Sequence, residues 1–336
     1  MPDPYAAAPG RVPRWISPVA KGALSICLIG LIAWKVPLAK ALHTVASLSA
    51  PAVAFSLLLT FAFPAIAALR WKRALRRLGS RVPWPALMAD TLVSSTYNML
   101  LPTSIGGDVV RAIRCARRSA RPSHAWSSAL FERLVGLVAL AVLAVPGIVM
   151  APGARREIAV AILLVALLSS SLVLAAHAPF RWAARILSSR APVVAQLGSD
   201  LADDLAGPLS SIPARLEMLA WSLLYQAVGL GLLAVVVTDW GRPDLCWAVL
   251  GAVPLALVLA MLPVSIAGLG VRESMFVVLL GQFGVASDRA LALALVWLAS
   301  ALLLALTGVV VLALEAASAA RQGGRRDVGP LPREGS

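Results

Sequence analysis

Along this chain the apolar positions come in long runs, and the charged positions gather at the ends of those runs. Stretches 19–36, 50–69, 125–150, 158–178, 216–237 and 288–314 are each apolar over about the 20 residues that a helix needs to cross a bilayer. They predict six full transmembrane helices. Two more apolar segments, 86–110 and 247–285, are interrupted near their middles, the first by Pro102, Gly106 and Gly107, the second by Pro263, Gly268 and Gly270. Each predicts a re-entrant hairpin, because half a hairpin of about 12 residues reaches only about 18 Å and ends near the membrane centre. The predicted fold is an all-α integral membrane protein of six spans and two broken-helix hairpins. Residues 1–18 form an N-terminal segment, 19–316 the membrane domain and 317–336 a flexible Gly/Arg/Pro-rich tail.

The two interruptions resemble each other. Leu101-Pro102-Thr103-Ser104-Ile105-Gly106-Gly107-Asp108-Val109-Val110-Arg111 returns as Leu262-Pro263-Val264-Ser265-Ile266-Ala267-Gly268-Leu269-Gly270-Val271-Arg272, with seven of eleven aligned positions identical. Three expected spans separate the hairpins, and an odd number of crossings inverts the second relative to the first. That is the pattern of an inverted repeat whose broken half-helices meet at a midplane site, as in many transporters. The alternative is coincidence between two Pro/Gly kinks in a chain of low diversity.

Composition narrows the class. The 336 residues are 60% hydrophobic and only 14% charged, against roughly 25% charged in soluble domains. A net charge of +14 in a soluble chain would suggest nucleic acid, but here the basic residues sit at span ends and no nucleic-acid partner is expected. With the N-terminus inside, the outer segments hold only Lys35, Lys40, Arg155, Arg156 and Arg242, and the apolar segments only Arg133, Arg272 and Arg289. All the other Lys and Arg fall on cytoplasmic flanks, such as Arg70, Lys72, Arg73, Arg76, Arg77 and Arg81 or Arg111, Arg114, Arg117, Arg118 and Arg121. The positive-inside bias therefore places both termini in the cytoplasm. Residues 71–78 read as a basic amphipathic stretch on the inner surface.

Cys27, Cys115 and Cys246, like His43, His124 and His177, are scattered without metal-ligand or disulfide spacing, so neither metal nor cofactor is expected. Chemistry is sought instead among ionisable groups inside apolar segments, where charge is costly. These are Asp108, Arg111, Glu132, Arg133, Arg272 and Glu273. Two glycines ahead of Asp108 mark it as an N-cap, with Arg111 one turn into a half-helix. Backbone N–H groups at such a terminus attract an anion, and a guanidinium grips phosphate through paired hydrogen bonds. Arg111 and Arg272, at equivalent places in the two copies, would then hold a phosphate between half-helix starts. Plainer roles exist for each: a cap for Asp108, snorkelling to headgroups for Arg111, and structural ion pairs for Arg272-Glu273 and Glu132-Arg133. Asn98 reads either as a headgroup contact or as repair of backbone freed by Pro102, and Tyr225 and Gln226 in the fifth span pose the same alternative more weakly. Asp203 and Asp204, in the loop 179–215, raise a separate possibility of metal-nucleotide binding by a transferase.

Taken in order, several of these residues resemble the transmembrane, flippase-like region of lysylphosphatidylglycerol synthases and its stand-alone bacterial relatives. The carriers are Arg70-Trp71-Lys72, Asn98 before Leu101-Pro102, Gly106-Gly107-Asp108 with Arg111, Glu132-Arg133 leading into Gly136-Leu137, and Leu262-Pro263 with Gly268, Gly270, Arg272 and Glu273. The resemblance implies a membrane protein, not an enzyme, that moves a phosphate-bearing lipid or lipid-linked headgroup between leaflets. The aminoacyl-transferase domain of the full-length synthases is not expected in a chain ending about 20 residues past its last span. Thr103 and Leu269 depart from the family pattern, and Leu269 breaks the symmetry of the proposed anion site. A second expectation is a non-transporting subunit that recruits or stabilises a lipid- or envelope-modifying enzyme. Aminoacylated phosphatidylglycerol, a polyprenyl-phosphate sugar, a simple phospholipid and a hopanoid-type lipid all fit the expected site.

Overall fold

A computed structural model describes residues 30, 34, 36–101, 106–150, 156–175, 177–188, 191–261 and 270–326. The described residues are all-helical, with no strand. Among the described residues, four helices are long and apolar enough to cross a membrane: α2 (Ala50–Arg77), α5 (Pro122–Met150), α9 (Ile212–Asp239) and the Ser287–Ser318 part of α12 (Ser287–Arg326). The expected span at 158–178 is the twenty-residue helix α6 (Arg156–Ala175). The expected first span, 19–36, lies outside the described residues except for positions 30, 34 and 36.

Each expected hairpin is a pair of shorter helices. In the first, α3 (Trp84–Leu100) and α4 (Gly106–Ala116) lie antiparallel: Asn98 meets Gly107 near the break, while Asp90 meets Arg114 and Arg118 at the open end. In the second, α10 (Leu245–Ala260) and α11 (Val271–Gln282) also fold back, so that the Phe283 ring lies on Gly251, well away from the break. The individual helices are 17, 11, 16 and 12 residues long, all short of a full crossing. The short α1 (Leu38–Ala46) packs Ala41 against Leu291 and Ala292 of α12.

Side-chain contacts fix which ends lie together. At one end, Arg77 of α2 meets Glu217 of α9, and Arg114 of α4 meets both Asp90 of α3 and Glu315 of α12. At the other end, Ser49 ahead of α2 donates to Asp239 of α9, and Gly147 of α5 abuts Gly251 of α10. The open end of the first hairpin therefore lies at the basic end of the bundle, and that of the second at the opposite end. The inner ends of the two hairpins, Leu100 with Gly106 and Ala260 with Val271, therefore point toward each other.

Residues 71–78 differ from expectation. They continue α2 to Arg77, with Trp71, Ala74 and Leu75 fully buried and Trp71 and Leu75 packed beside Leu87, Cys115 and Ala125. The buried face of α2 carries on at helical spacing from Ala67 and Ala68 through Trp71 to Ala74, so the helix stays in the bundle while Lys72, Arg73 and Arg76 point outward.

The loop 179–215 contains a helical hairpin, α7 (His177–Leu187) and α8 (Pro192–Ala206). Asp204 of α8 accepts a hydrogen bond from Ser127 Oγ of α5 at 2.8 Å and lies 3.8 Å from His124 Nε2, whose other ring nitrogen meets Ser80 Oγ at 2.8 Å. Asp203 pairs with Arg181, and Asp200 accepts from Gln196. Asp203 thus ties α8 to α7 and Asp204 ties α8 to α5, while Asp200 is engaged within α8; no metal-ligand cluster occurs among the described residues. At the far end of the bundle, the hydrogen bonds from Arg242 hold the exposed Asp244 carboxyl below its usual range.

Candidate functional site

The break of the first hairpin builds the site. Gly107 lies so close to α3 that a Cβ there would strike the Ser94 carbonyl oxygen and come within 2.6 Å of the Asn98 side chain. Glycine is required by that approach, and it lets the Gly107 N–H donate to Asn98 Oδ1 at 2.9 Å. Asn98 thus satisfies backbone at the start of α4 from across the hairpin. Asp108 differs from its expected capping role: α4 already begins at the buried Gly106, and Asp108 sits in the first turn with its carboxylate turned to side chains.

Those side chains form an alternating chain of charge. Arg133 donates to Asp108 Oδ2, and Arg111 Nε lies 3.0 Å from Asp108 Oδ1. Arg111 Nη1 is 3.3 Å from Glu132 Oε2, and Arg70 Nε donates to Glu132 Oε1 at 2.9 Å. Glu132 is 1% exposed, Arg70 6% and Arg111 7%. Three guanidiniums face two carboxylates, leaving one positive charge in excess. Two aromatic rings carry the inner arginines, Arg111 over Trp71 at 4.7 Å and Arg70 over Tyr225 at 4.5 Å. Trp71 Nε1 donates to Ser128 Oγ at 2.8 Å, and Arg70 Nη1 reaches Ser222 Oγ at 3.3 Å. Two buried atoms in this network, Arg111 Nε and Glu132 Oε2, lack an aligned hydrogen bond.

A cavity of about 270 Å³ opens on these groups, lined by Arg70, Asp108, Arg111, Glu132 and Arg133 together with Tyr225 and Gln226. Phe63 of α2, Gly136 of α5, Tyr225 of α9 and Leu304 of α12 all line it from near the middle of their helices. Met261, at the end of α10 and just before the second break, lines it as well. The cavity is therefore at mid-height and bordered by both hairpins.

The structure brings Asn98, Gly107, Asp108, Arg111, Glu132 and Arg133 together, with Gly106 buried beside them. Arg272 and Glu273 form a separate unit at the start of α11. Glu273 Oε2 accepts from the Gly270 N–H at 2.7 Å, while Oε1 accepts from Arg272 Nε and Nη2 at 3.1 and 2.8 Å. Gly270 has φ 81° there, a left-handed conformation that suits glycine. Neither Arg272 nor Glu273 is among the described residues lining the cavity. Pro102, Pro263 and Gly268 lie outside the described residues. Sequence reasoning missed Arg70, whose place among basic flanking residues concealed it. Its signal was spacing: Arg70 and Trp71 continue the buried stripe of Thr60, Pro64 and Ala67. It also passed over Asp90, a buried acid in an otherwise apolar segment that accepts from Arg114 at 2.6 Å and Arg118 at 2.9 Å.

Residues 19–314 match the family described as the lysylphosphatidylglycerol synthase TM region. No curated protein matches the chain.

Proposed function

The chain belongs to the lysylphosphatidylglycerol synthase TM region family, and from that premise we propose that it is a flippase for a phosphate-bearing lipid or lipid-linked headgroup. Family and helices together make it a multi-pass membrane protein with a role in lipid handling. The finer proposal is a carrier, not an enzyme, in the bacterial cytoplasmic membrane with both termini inside and membrane lipids as its partners.

One observation carries it: a mid-height cavity walled by a buried network with one cation in excess. An unbalanced charge is costly in a low-dielectric interior. A phosphodiester brings one negative charge, which neutralises the network. The inverted hairpins on either side supply the two elements that would rock around such a ligand in alternating access. Gathering of the basic helix ends at one end of the bundle supports the cytoplasmic assignment of that end. Asp204 is buried against Ser127, while Asp203 is exposed and paired with Arg181.

The test is leaflet exchange in proteoliposomes with fluorescent lipids of different headgroups, comparing wild type with Arg111→Gln at matched reconstitution. Headgroup-selective exchange lost in the variant supports the proposal. Exchange no faster than in empty liposomes for every lipid overturns it and favours the non-transporting subunit.

A further inference from the structure

Beside the cationic cavity lies a second, apolar groove between α2, α9 and α12, lined by Leu59, Val228, Leu232, Trp297 and Ala301 among others. The two spaces share Phe63 and Leu304 as walls. Phe63 stacks on Tyr225, which lines the cavity, at 4.0 Å and meets the edge of Trp297, which lines the groove, at 6.4 Å, so its ring stands between the two spaces. The hydroxyls at the groove are satisfied within the protein: Thr60 Oγ1 meets the Ser56 carbonyl and, across to α12, Ser300 Oγ at 3.2 Å, and Ser300 Oγ donates to the Val296 carbonyl. What remains is a mainly hydrocarbon-lined groove beside the cationic cavity.

Its direction follows from the helices. On α2 the lining residues run from Arg70 in the cavity back to Leu59 in the groove, eleven residues or about 16 Å of helix. On α9 they run from Tyr225 to Leu232, and on α12 from Leu304 to Trp297. All three lead away from the basic end of the bundle. Cavity and groove together thus extend along the helix axes for about half the ~30 Å thickness of a hydrocarbon core, the groove alone covering about 6 Å of α2 and α9 and about 10 Å of α12, with the polar cavity nearer the basic side.

We propose that this groove holds one hydrocarbon chain of the same lipid whose phosphate occupies the cavity, oriented as a lipid of the leaflet at the basic end. The proposal rests on the transport reading above and adds the anchor: the ligand is an amphiphile bound by head and chain together, not a soluble phosphate compound. It explains why a charged cavity and an apolar groove share walls, since their two occupants are covalently joined.

The experiment uses the full chain in neutral-lipid nanodiscs and phosphatidylglycerol carrying a photoreactive diazirine on one acyl chain, with the cross-linked peptides mapped by mass spectrometry. Labelling is expected on residues 59–63, 228–232 and 297–301, at least fivefold above that from a diacylglycerol with the same diazirine chain and no phosphate. Ala301→Phe, which fills the groove, is expected to cut that labelling at least tenfold while inorganic phosphate still shifts the thermal unfolding of the protein. Equal labelling by the two probes, or label spread evenly over the outer helix faces, overturns the chain site even where phosphate binds. Failure of phosphate to shift the wild-type protein strikes the headgroup cavity instead, so the two claims fail separately. The wild-type labelling map decides the chain site by itself should Ala301→Phe not fold.

Discussion

Glu132 is the hinge of the charge network, because each of its oxygens faces a different guanidinium, Arg70 and Arg111. Glu132→Gln leaves two buried arginines short of charge, and removing one partner from a buried ion pair costs about 3–5 kcal/mol. A marked fall in the thermal unfolding midpoint in detergent is expected. Arg133 is different: its side chain is 24% exposed and among the described residues it pairs with Asp108. Arg133→Gln should leave the unfolding midpoint nearly unchanged but remove the excess cation, reducing phosphodiester affinity by about tenfold, roughly 1.4 kcal/mol, in a titration. Gly107→Ala places a methyl group against the Ser94 carbonyl and Asn98, so leaflet exchange should be lost while helix content by circular dichroism is retained. Arg111 and Glu132 were legible from sequence because an ionisable group in an apolar run stands out. Arg70 did not stand out, since it opens a run of basic residues and only its helical spacing on the buried face of α2 sets it apart from the exposed arginines that follow it.

The two hairpins are the elements that shape the site, and each is tied down by charge. Asp90, fully buried, accepts from both Arg114 and Arg118 and so clasps the open end of the first hairpin. Asp90→Asn weakens both pairs, and faster amide hydrogen exchange through α3 and α4, with α9 unchanged, is the expected outcome. The exposed pair Arg77–Glu217 is a poor target by comparison, being worth at most about 1 kcal/mol in solvent. Proline and glycine announced where the hairpins break, because they interrupt the backbone ladder whatever the tertiary setting. They did not announce that α4 starts at Gly106, so Asp108 is free of capping and its carboxylate serves Arg111 and Arg133. Nor did residues 71–78 reveal by composition that they extend α2: basic amphipathic character is shared by a surface helix and by a bundle helix with one exposed face.

Across the molecule, the basic helix ends meet at one pole while Ser49, Asp239 and Gly251 mark the other. Sided cysteine labelling in a background with the three native cysteines replaced by serine checks which pole faces the cytoplasm. Lys72→Cys should react only with reagent admitted to the inside, and Arg242→Cys with reagent outside. The opposite result would reverse the orientation without disturbing the fold. Helical class, the approximate limits of the four long apolar helices, and the broken nature of 86–110 and 247–285 were determined by sequence alone. Burying a backbone in lipid demands continuous apolar helix, and apolar run length is a local property. Which of the candidate charges belong together was settled only by packing. Arg111 and Arg272 occupy equivalent places in the repeat, yet the first joins Asp108, Glu132 and Arg70 around a cavity while the second is closed on its neighbour Glu273. Partners from α2, α4 and α5 are far apart in the chain, and Coulombic pairing depends on distance in space, which no local pattern of residues encodes.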